Sequence, residues 1–299
     1  MAEVTKDGMT HPYPDDYWNR KEGDPRERFV CVQSVYVDDQ DFLWVLDPAA
    51  PMLEKVLQNG PKLVKIDLTK NQPVQTILFD QTIAPEKSYL NDLRIDSKSG
   101  HAFITESGVG SIIVVDLKSG KARRLLEGHP STKAEPDKRL AVDGMMLTDP
   151  KTGTAPQFHA DGIALDQQKG ILYFHALTAR KLYKVKTSDL LDENMSEKEL
   201  AQSVVAVGET DSPDGMIVGK DGSLYLAAFE KNAIVRVNPE NAKQETVIED
   251  KRLQWPDTMA WGPGGELYVT TSQIHRMPKF HGGKSAIEEP YRVYKLKVE

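Results

Sequence analysis

Apolar and polar residues alternate with a period of two along most of the chain, and Gly, Asp, Asn or Pro interrupts the alternation every few residues. This pattern is typical of many short β-strands joined by tight turns. Helical periodicity is convincing only over residues 188–203, where Ser196 and Glu199 form a capping-box pattern ahead of Leu200. The sequence therefore predicts an almost entirely β protein.

The strands follow a repeated template: a polar residue, an alternating strand, an Asp/Gly-rich turn, and a second strand with an aromatic residue near its start. The five copies begin at Gln33, Asn91, Asp161, Asp214 and Asp257, and their aromatic residues are Trp44, Phe103, Tyr173, Tyr225 and Tyr268. Each copy continues into a third strand, and the first four copies into a fourth. Four strands in each unit of roughly 40–50 residues predict a β-propeller of four-stranded blades.

The fifth copy has only three strands before the sequence ends at Glu299, whereas the strand-like stretch at residues 3–10 belongs to no copy. Open sheet edges are a liability for folded proteins. We therefore expect the N-terminal strand to complete the last blade as its outer strand. On this interpretation residues 1–299 form a single propeller domain with five visible blades.

Charge and composition limit the partners. The chain has 299 residues, with 38 Lys and Arg against 45 Asp and Glu, and 39% of its residues are hydrophobic. The negative balance argues against a nucleic-acid partner, and no apolar run approaches the ~20 residues of a membrane span. The N-terminus lacks the apolar stretch of a signal peptide. We expect a cytoplasmic protein with no membrane partner, with a secreted or periplasmic mature form as the alternative; the oligomeric state stays open.

The polar residues that open the five first strands are the candidate chemistry. In a propeller these strands line the central channel, so Gln33, Asn91, Asp161, Asp214 and Asp257 are expected to converge at its mouth. Clustered carboxylates repel one another unless a cation lies between them, and Ca²⁺ suits carboxylate and amide oxygens best. The alternative is that each Asp only caps its own turn.

The sequence contains four further candidate side chains. Asp92 and His159 lie close in sequence to the column of polar residues, and His175 ends a second strand, with a buried structural role as its alternative. His275 falls in a long loop, where we expect it to be solvated.

Several segments resemble the major royal jelly protein/yellow family, as a bacterial-type member. These segments include residues 35–47 (VYVDDQDFLWVLD), 170–177 (GILYFHAL) and 253–259 (LQWPDTM), and the resemblance runs in order from about Pro12 to Val298. It implies a propeller that is usually six-bladed and exported. Insect members are linked to dopachrome conversion or bind small amines.

The related gluconolactonase/senescence-marker propellers are metal-dependent lactonases with Glu, Asn and Asp ligands at the channel mouth. By this resemblance Asn91, Asp161 and Asp214 fall at comparable strand starts, whereas the family's N-terminal Glu ligand has no evident equivalent.

The sequence thus predicts a propeller that binds a small polar or aromatic ligand at the channel mouth, with or without a divalent cation. In this prediction the metal ligands are Asn91, Asp161 and Asp214, and the ligand contacts are Gln33, Asp92, His159 and His175. One alternative is a metal-dependent lactonase in which Asp214 or Asp257 acts as the catalytic base. The other is a non-catalytic interaction scaffold.

Overall fold

The computed structural model describes residues 1–150 and 152–298, and the chain divides into two compact units, Met1–Glu127 and Gly128–Glu299. Five antiparallel sheets, two in the first unit and three in the second, make up most of the β-structure. In each sheet the strands pair in chain order, which is the arrangement of a propeller blade. The predicted all-β propeller with five visible blades is therefore confirmed. The single domain over residues 1–299 stays a prediction.

The first unit begins with a short hairpin, followed by two four-stranded blades. The hairpin is β1 (Ala2–Val4) and β2 (Thr10–Pro12). Blade 1 consists of β3 (Ser34–Val37), β4 (Phe42–Asp47), β5 (Lys62–Asp67) and β6 (Gln72–Leu78). Blade 2 consists of β7 (Leu90–Asp96), β8 (His101–Glu106), β9 (Ser111–Asp116) and β10 (Ala122–Leu125).

The second unit begins with a long loop that carries the small hairpin β11 (Ala141–Val142) and β12 (Met145–Met146). Blade 3 consists of β13 (Ala160–Asp166), β14 (Ile171–Ala176), β15 (Lys181–Lys186) and β16 (Val205–Glu209). Before β16 the chain forms helices α1 (Thr187–Leu191) and α2 (Glu197–Ser203). The capping box predicted at Ser196 and Glu199 is present at the start of α2.

The last two blades complete the second unit. Blade 4 consists of β17 (Pro213–Val218), β18 (Leu224–Ala228), β19 (Ala233–Val237) and β20 (Gln244–Glu249). Blade 5 has three strands among the described residues: β21 (Pro256–Trp261), β22 (Leu267–Thr271) and β23 (Val293–Leu296).

Within residues 1–150 and 152–298 the N-terminal strand pairs with no strand of blade 5, so that prediction is wrong. Instead β1 pairs with β2, in the register Ala2 to Pro12. A tight turn joins the two strands, with Gly8 at φ 81° and its N–H donating to the carbonyl of Thr5 at 2.9 Å. The physical reason is proximity, since closing a short local hairpin costs less chain entropy than pairing with a distant strand.

Apolar side chains between adjacent blades of one unit form the core. Between blades 1 and 2 the buried residues include Trp44, Leu63, Leu93 and Ile104. Similar clusters lie between blades 3 and 4 and between blades 4 and 5. Each blade therefore holds its first strand in place through both hydrogen bonds and side-chain packing. No helix in the part of the chain that the structure describes is long and apolar enough to cross a membrane.

Candidate functional site

Four of the five first strands carry the same irregularity at their predicted polar residue. In β13, Ala160 and Ile163 pair with Ala176 and Phe174, so three steps on one strand face two on the other. The same count occurs in β7, β17 and β21. Such a β-bulge inserts one residue and changes the direction in which side chains point. The bulged residues are Asn91 and Asp92, Asp161 and Gly162, Asp214 and Gly215, and Asp257 and Thr258.

The bulges of the second unit lie against one another. A methyl group added to Gly162 would lie 2.9 Å from the carbonyl oxygen of Asp214, and one added to Gly215 would lie 2.1 Å from that of Asp257. Only glycine, which has no Cβ, permits this approach. The structure thus places the backbone of the first of these bulges against that of the second, and the second against the third; we call their aspartates, Asp161, Asp214 and Asp257, the acidic bulge set. Asp161 and Asp214 are buried, and Asp257 is half-buried.

Trp255 makes a direct contact with this set. Its indole Nε1–H donates to Oδ2 of Asp214 at 2.5 Å, and the tryptophan side chain is fully buried. A hydrogen bond to an ionised carboxylate is shorter and stronger than one between neutral groups. The sequence alone does not point to this residue, because the contact joins positions 41 residues apart. Its only signal was its presence in the family-like segment 253–259.

His175 lies on β14 directly opposite the bulge at Asp161 and Gly162. The equivalent residues of blades 2 and 5 are threonines whose hydroxyl oxygens accept the N–H of the second bulge residue: Asp92 to Thr105 at 3.2 Å and Thr258 to Thr270 at 3.1 Å. In blade 3 an imidazole takes that place. Its side chain is entirely buried.

The protonation of His175 follows from its contacts. Its Nδ1 lies 2.6 Å from the carbonyl of Ala176 and must therefore carry a proton and donate it. Burial lowers the pKa of His175 to about 4, so the ring is neutral at physiological pH. Nε2 is then an acceptor, and no hydrogen-bond partner for it occurs among residues 1–150 and 152–298. A buried acceptor without a donor is costly, which favours a bound water or ligand group there.

His159 is held by the long loop that precedes blade 3. Its Nδ1 accepts the backbone N–H of Ala134 at 2.9 Å, and Nζ of Lys133 lies 3.0 Å from its Nε2. The loop therefore places a lysine beside the residue two positions before Asp161.

Two of the predicted residues of the first unit, Gln33 and Asn91, are joined by a hydrogen bond. Nε2 of Gln33 donates to Oδ1 of Asn91 at 2.7 Å, and the hydroxyl of Tyr89 donates to Oε1 of Gln33 at 2.6 Å. Asp92 is buried beside them in the bulge, and burial raises its pKa, with Arg94 acting in the opposite direction. The structure thus brings Gln33 and Asn91 into direct contact.

His275 is not solvated, contrary to the prediction from its loop position. It is 3% exposed, and its ring lies parallel to that of Trp255 with 5.9 Å between the centroids. Its Nε2 lies 3.3 Å from Oδ2 of Asp143. Stacking on the tryptophan removes the ring from water, and this burial lowers the pKa of His275.

The carboxylates, imidazoles and thiol of the described residues do not group into a metal site. In the described ranges no three side chains from His, Cys, Asp and Glu lie close enough to hold one ion. Two of the predicted ligand oxygens already accept hydrogen bonds, Oδ1 of Asn91 from Gln33 and Oδ2 of Asp214 from Trp255. Calcium at Asn91, Asp161 and Asp214 therefore stays a prediction.

Comparison with known proteins gives a family match over most of the chain. The family model described as "Major royal jelly protein" matches residues 30–299. A protein from Sulfolobus acidocaldarius, described as uncharacterized, is 29% identical over 121 residues. That match covers 39% of this chain and 42% of the relative, so the chain spans less than half of that relative's length.

Two solved structures share the fold. A streptogramin B lyase superposes with a TM-score of 0.50 at 14% identity, over 90% of this chain and 70% of that one. A gluconolactonase from Xanthomonas campestris superposes with a TM-score of 0.51 at 12% identity, over 82% of this chain and 70% of that one. At these identities the similarity shows a common propeller fold.

Proposed function

We propose that this chain, which belongs to the major royal jelly protein family, binds a small ligand rich in hydrogen-bond donors, of the aromatic amine class, at Asp161, Asp214 and Asp257. The observation that carries the proposal is the repeated bulge. In three consecutive blades the bulge carries an aspartate at the equivalent position of the first strand, and the backbones of neighbouring bulges are in contact. Bulges are frequent beside functional sites because they direct side chains that a regular strand could not.

The side chains around this point accept hydrogen bonds. Carboxylates accept only, and the neutral His175 opposite the first bulge offers an acceptor nitrogen. An ammonium group donates up to three hydrogen bonds and carries a positive charge that an aspartate carboxylate attracts. The binding of small amines by insect members of the family is consistent with this chemistry.

Isothermal titration calorimetry with tyramine tests the proposal. Tyramine supplies an ammonium group on an aromatic body, and para-ethylphenol, which lacks only the amine, is the matched control ligand. We expect tyramine to bind and para-ethylphenol not to bind. Each of Asp161→Asn, Asp214→Asn and Asp257→Asn should weaken tyramine binding about tenfold or more, since a hydrogen bond to a charged group contributes about 1.5–3 kcal/mol.

Asp221→Asn is the matched control variant. Asp221 is an exposed carboxylate in the turn at the other end of the β17–β18 hairpin, where it pairs with Arg236. The Asp221→Asn variant should bind tyramine with the affinity of the unaltered protein. Equal affinities in Asp214→Asn and Asp221→Asn, or equal binding of tyramine and para-ethylphenol, would contradict the proposal.

A metal-dependent lactonase is the second candidate, because a gluconolactonase shares the fold and three bulged first strands each carry an aspartate. Hydrolysis of gluconolactone that requires Ca²⁺, stops with a chelator and is lost in Asp214→Asn would favour it over amine binding. A protein that neither binds tyramine nor hydrolyses the lactone would favour the interaction scaffold.

A further inference from the structure

We propose that Trp255 is a positioning residue for the acidic bulge set: its indole N–H fixes the Asp214 carboxylate in the orientation that receives the ammonium group of the ligand. The inference rests on the proposed function of Asp161, Asp214 and Asp257. It assigns a role to a residue that need not itself touch the ligand.

The contact between the two side chains is direct and buried. Nε1 of Trp255 lies 2.5 Å from Oδ2 of Asp214, and both residues are shielded from water. An indole has a single N–H donor, so the bond defines one direction for the carboxylate oxygen. Water competes little at a buried bond, which makes the orientation more strongly preferred than on the surface.

Aromatic stacking fixes the indole plane itself. The ring of Phe229 stacks on the indole of Trp255, with 4.3 Å between the ring centroids and 19° between the ring planes. The ring of His275 is also stacked on Trp255, at 5.9 Å and 6°. Rotation of the indole would have to break these contacts, so the N–H is held where it is.

A chain of hydrogen bonds fixes the backbone of the same residue. The N–H of Trp255 donates to Oδ1 of Asn232 at 3.3 Å, and Nδ2 of Asn232 donates to Oδ1 of Asp143 at 2.6 Å. The other carboxylate oxygen of Asp143 lies 3.3 Å from Nε2 of His275. These contacts therefore connect the backbone of Trp255 to the histidine that stacks on its ring.

Three segments of the second unit therefore hold one indole: the loop before blade 3, the β18–β19 connection, and the loop between β22 and β23. Binding sites gain affinity when the groups that contact the ligand are already held in place, because less freedom is lost on binding. Trp255 supplies this order to Asp214.

The first test is Trp255→Phe, which keeps an aromatic ring for the stack and removes the N–H donor. We expect tyramine affinity to fall about tenfold, the loss typical of one charge-assisted hydrogen bond. Trp261→Phe is the matched control, since it removes an indole N–H that donates to the backbone carbonyl of Val218 in the same unit at 2.8 Å. It should retain the affinity of the unaltered protein.

A double-mutant cycle distinguishes positioning from a general structural role. If Trp255 acts through Asp214, Trp255→Phe should change tyramine affinity less than twofold in an Asp214→Asn background. A purely structural effect would weaken binding by the same factor in both backgrounds, and that result would overturn the inference.

Should Trp255→Phe fail to fold, the indole N–H signals of the unaltered protein in NMR provide the second measurement. The signal of Trp255 is assigned by elimination from Trp18→Phe, Trp44→Phe and Trp261→Phe. We expect it to lie far downfield, to move on addition of tyramine and to keep its position with para-ethylphenol. A signal that tyramine leaves in place would overturn the inference.

The outcomes separate the inference from the proposal beneath it. If tyramine binds and Trp255→Phe retains full affinity, only the positioning role is wrong. If the unaltered protein does not bind tyramine, the proposed function is wrong and the positioning role falls with it.

Discussion

Trp255 adopts a left-handed backbone conformation, with φ 55°, which bulky side chains rarely adopt. Asn232, Asp143 and Gln273 in the surrounding segments also have positive φ, at 51°, 52° and 51°. Each such residue costs about 1–2 kcal/mol relative to a right-handed one, and asparagine and aspartate somewhat less. The stacked rings and the hydrogen bond from Asn232 to Asp143 hold this strained arrangement together. Strain of this kind concentrates at functional sites.

His175 should make the folding stability depend on pH. Its pKa is about 4 in the folded protein, against about 6.5 in an unfolded chain. As the pH falls from about 6.5 to about 4, the unfolded state binds the proton first, so the folded state loses up to about 1.4 kcal/mol of stability per pH unit. Above pH 6.5 or so this contribution is fully present.

Urea unfolding across this pH range checks the prediction. His175→Gln should lose this part of the pH dependence, whereas His101→Gln, at a half-exposed histidine that begins β8, should keep it. The same pH profile in His175→Gln and in the unaltered protein would show that another group is responsible.

At the scale of single residues, the sequence was informative where a pattern repeats. Asp161, Asp214 and Asp257 occupy the same place in three copies of the template, so their common position could be predicted. Trp255 and Asp143 lie outside the repeated template, and their partners are distant in the chain. No periodicity signals such contacts, because they depend on how two loops pack.

Among the elements, the bulged first strand has the greatest consequence for the site. A bulge shifts the alternation of apolar and polar positions by one residue. In β7, β13, β17 and β21 only one residue of the strand precedes the bulge, so too little alternation exists on that side to reveal the shift. The sequence therefore predicted the strands and missed the bulges.

Gly215→Ala should disturb the acidic bulge set from within the backbone. The new Cβ would lie 2.1 Å from the carbonyl oxygen of Asp257, so β17 and β21 must separate locally. We expect a loss of about 1–3 kcal/mol in unfolding free energy, the usual range for overpacking, together with weaker tyramine binding.

The control is Gly264→Ala, where the nearest atoms belong to the side chain of Glu266, which can swing away. Its effect on stability should stay within about 0.5 kcal/mol. Denaturation and calorimetry on both variants make the comparison, and equal losses would show that the close approach at Gly215 is not needed.

The protein as a whole carries a net charge of −7, which adds to the local charge of the acidic bulge set. Both attract a cationic ligand, and dissolved salt screens both. Tyramine affinity should therefore fall about threefold or more as NaCl rises from about 0.05 M to about 0.5 M, over which the screening length shrinks severalfold.

Titrations at several salt concentrations measure this dependence, and Asp214→Asn should show a shallower one. An affinity that salt leaves unchanged would mean that the ligand is held by uncharged contacts.

The blade count was predictable because a repeated template is visible without any knowledge of long-range contacts. The partner of the N-terminal strand was not, because the sequence pattern alone does not compare the chain entropy of a local hairpin with that of a distant pairing. The local hairpin formed through the turn at Gly8.

The recurrence of one bulge in four blades has a consequence for how the protein can diversify. The backbone at each bulge provides a fixed platform, and the side chain that it carries can be exchanged without rebuilding the strand. A short code of four side chains, at present Asn91, Asp161, Asp214 and Asp257, therefore specifies the chemistry offered at these platforms. Single substitutions at these four positions would therefore change which ligands are bound while the strands stay the same.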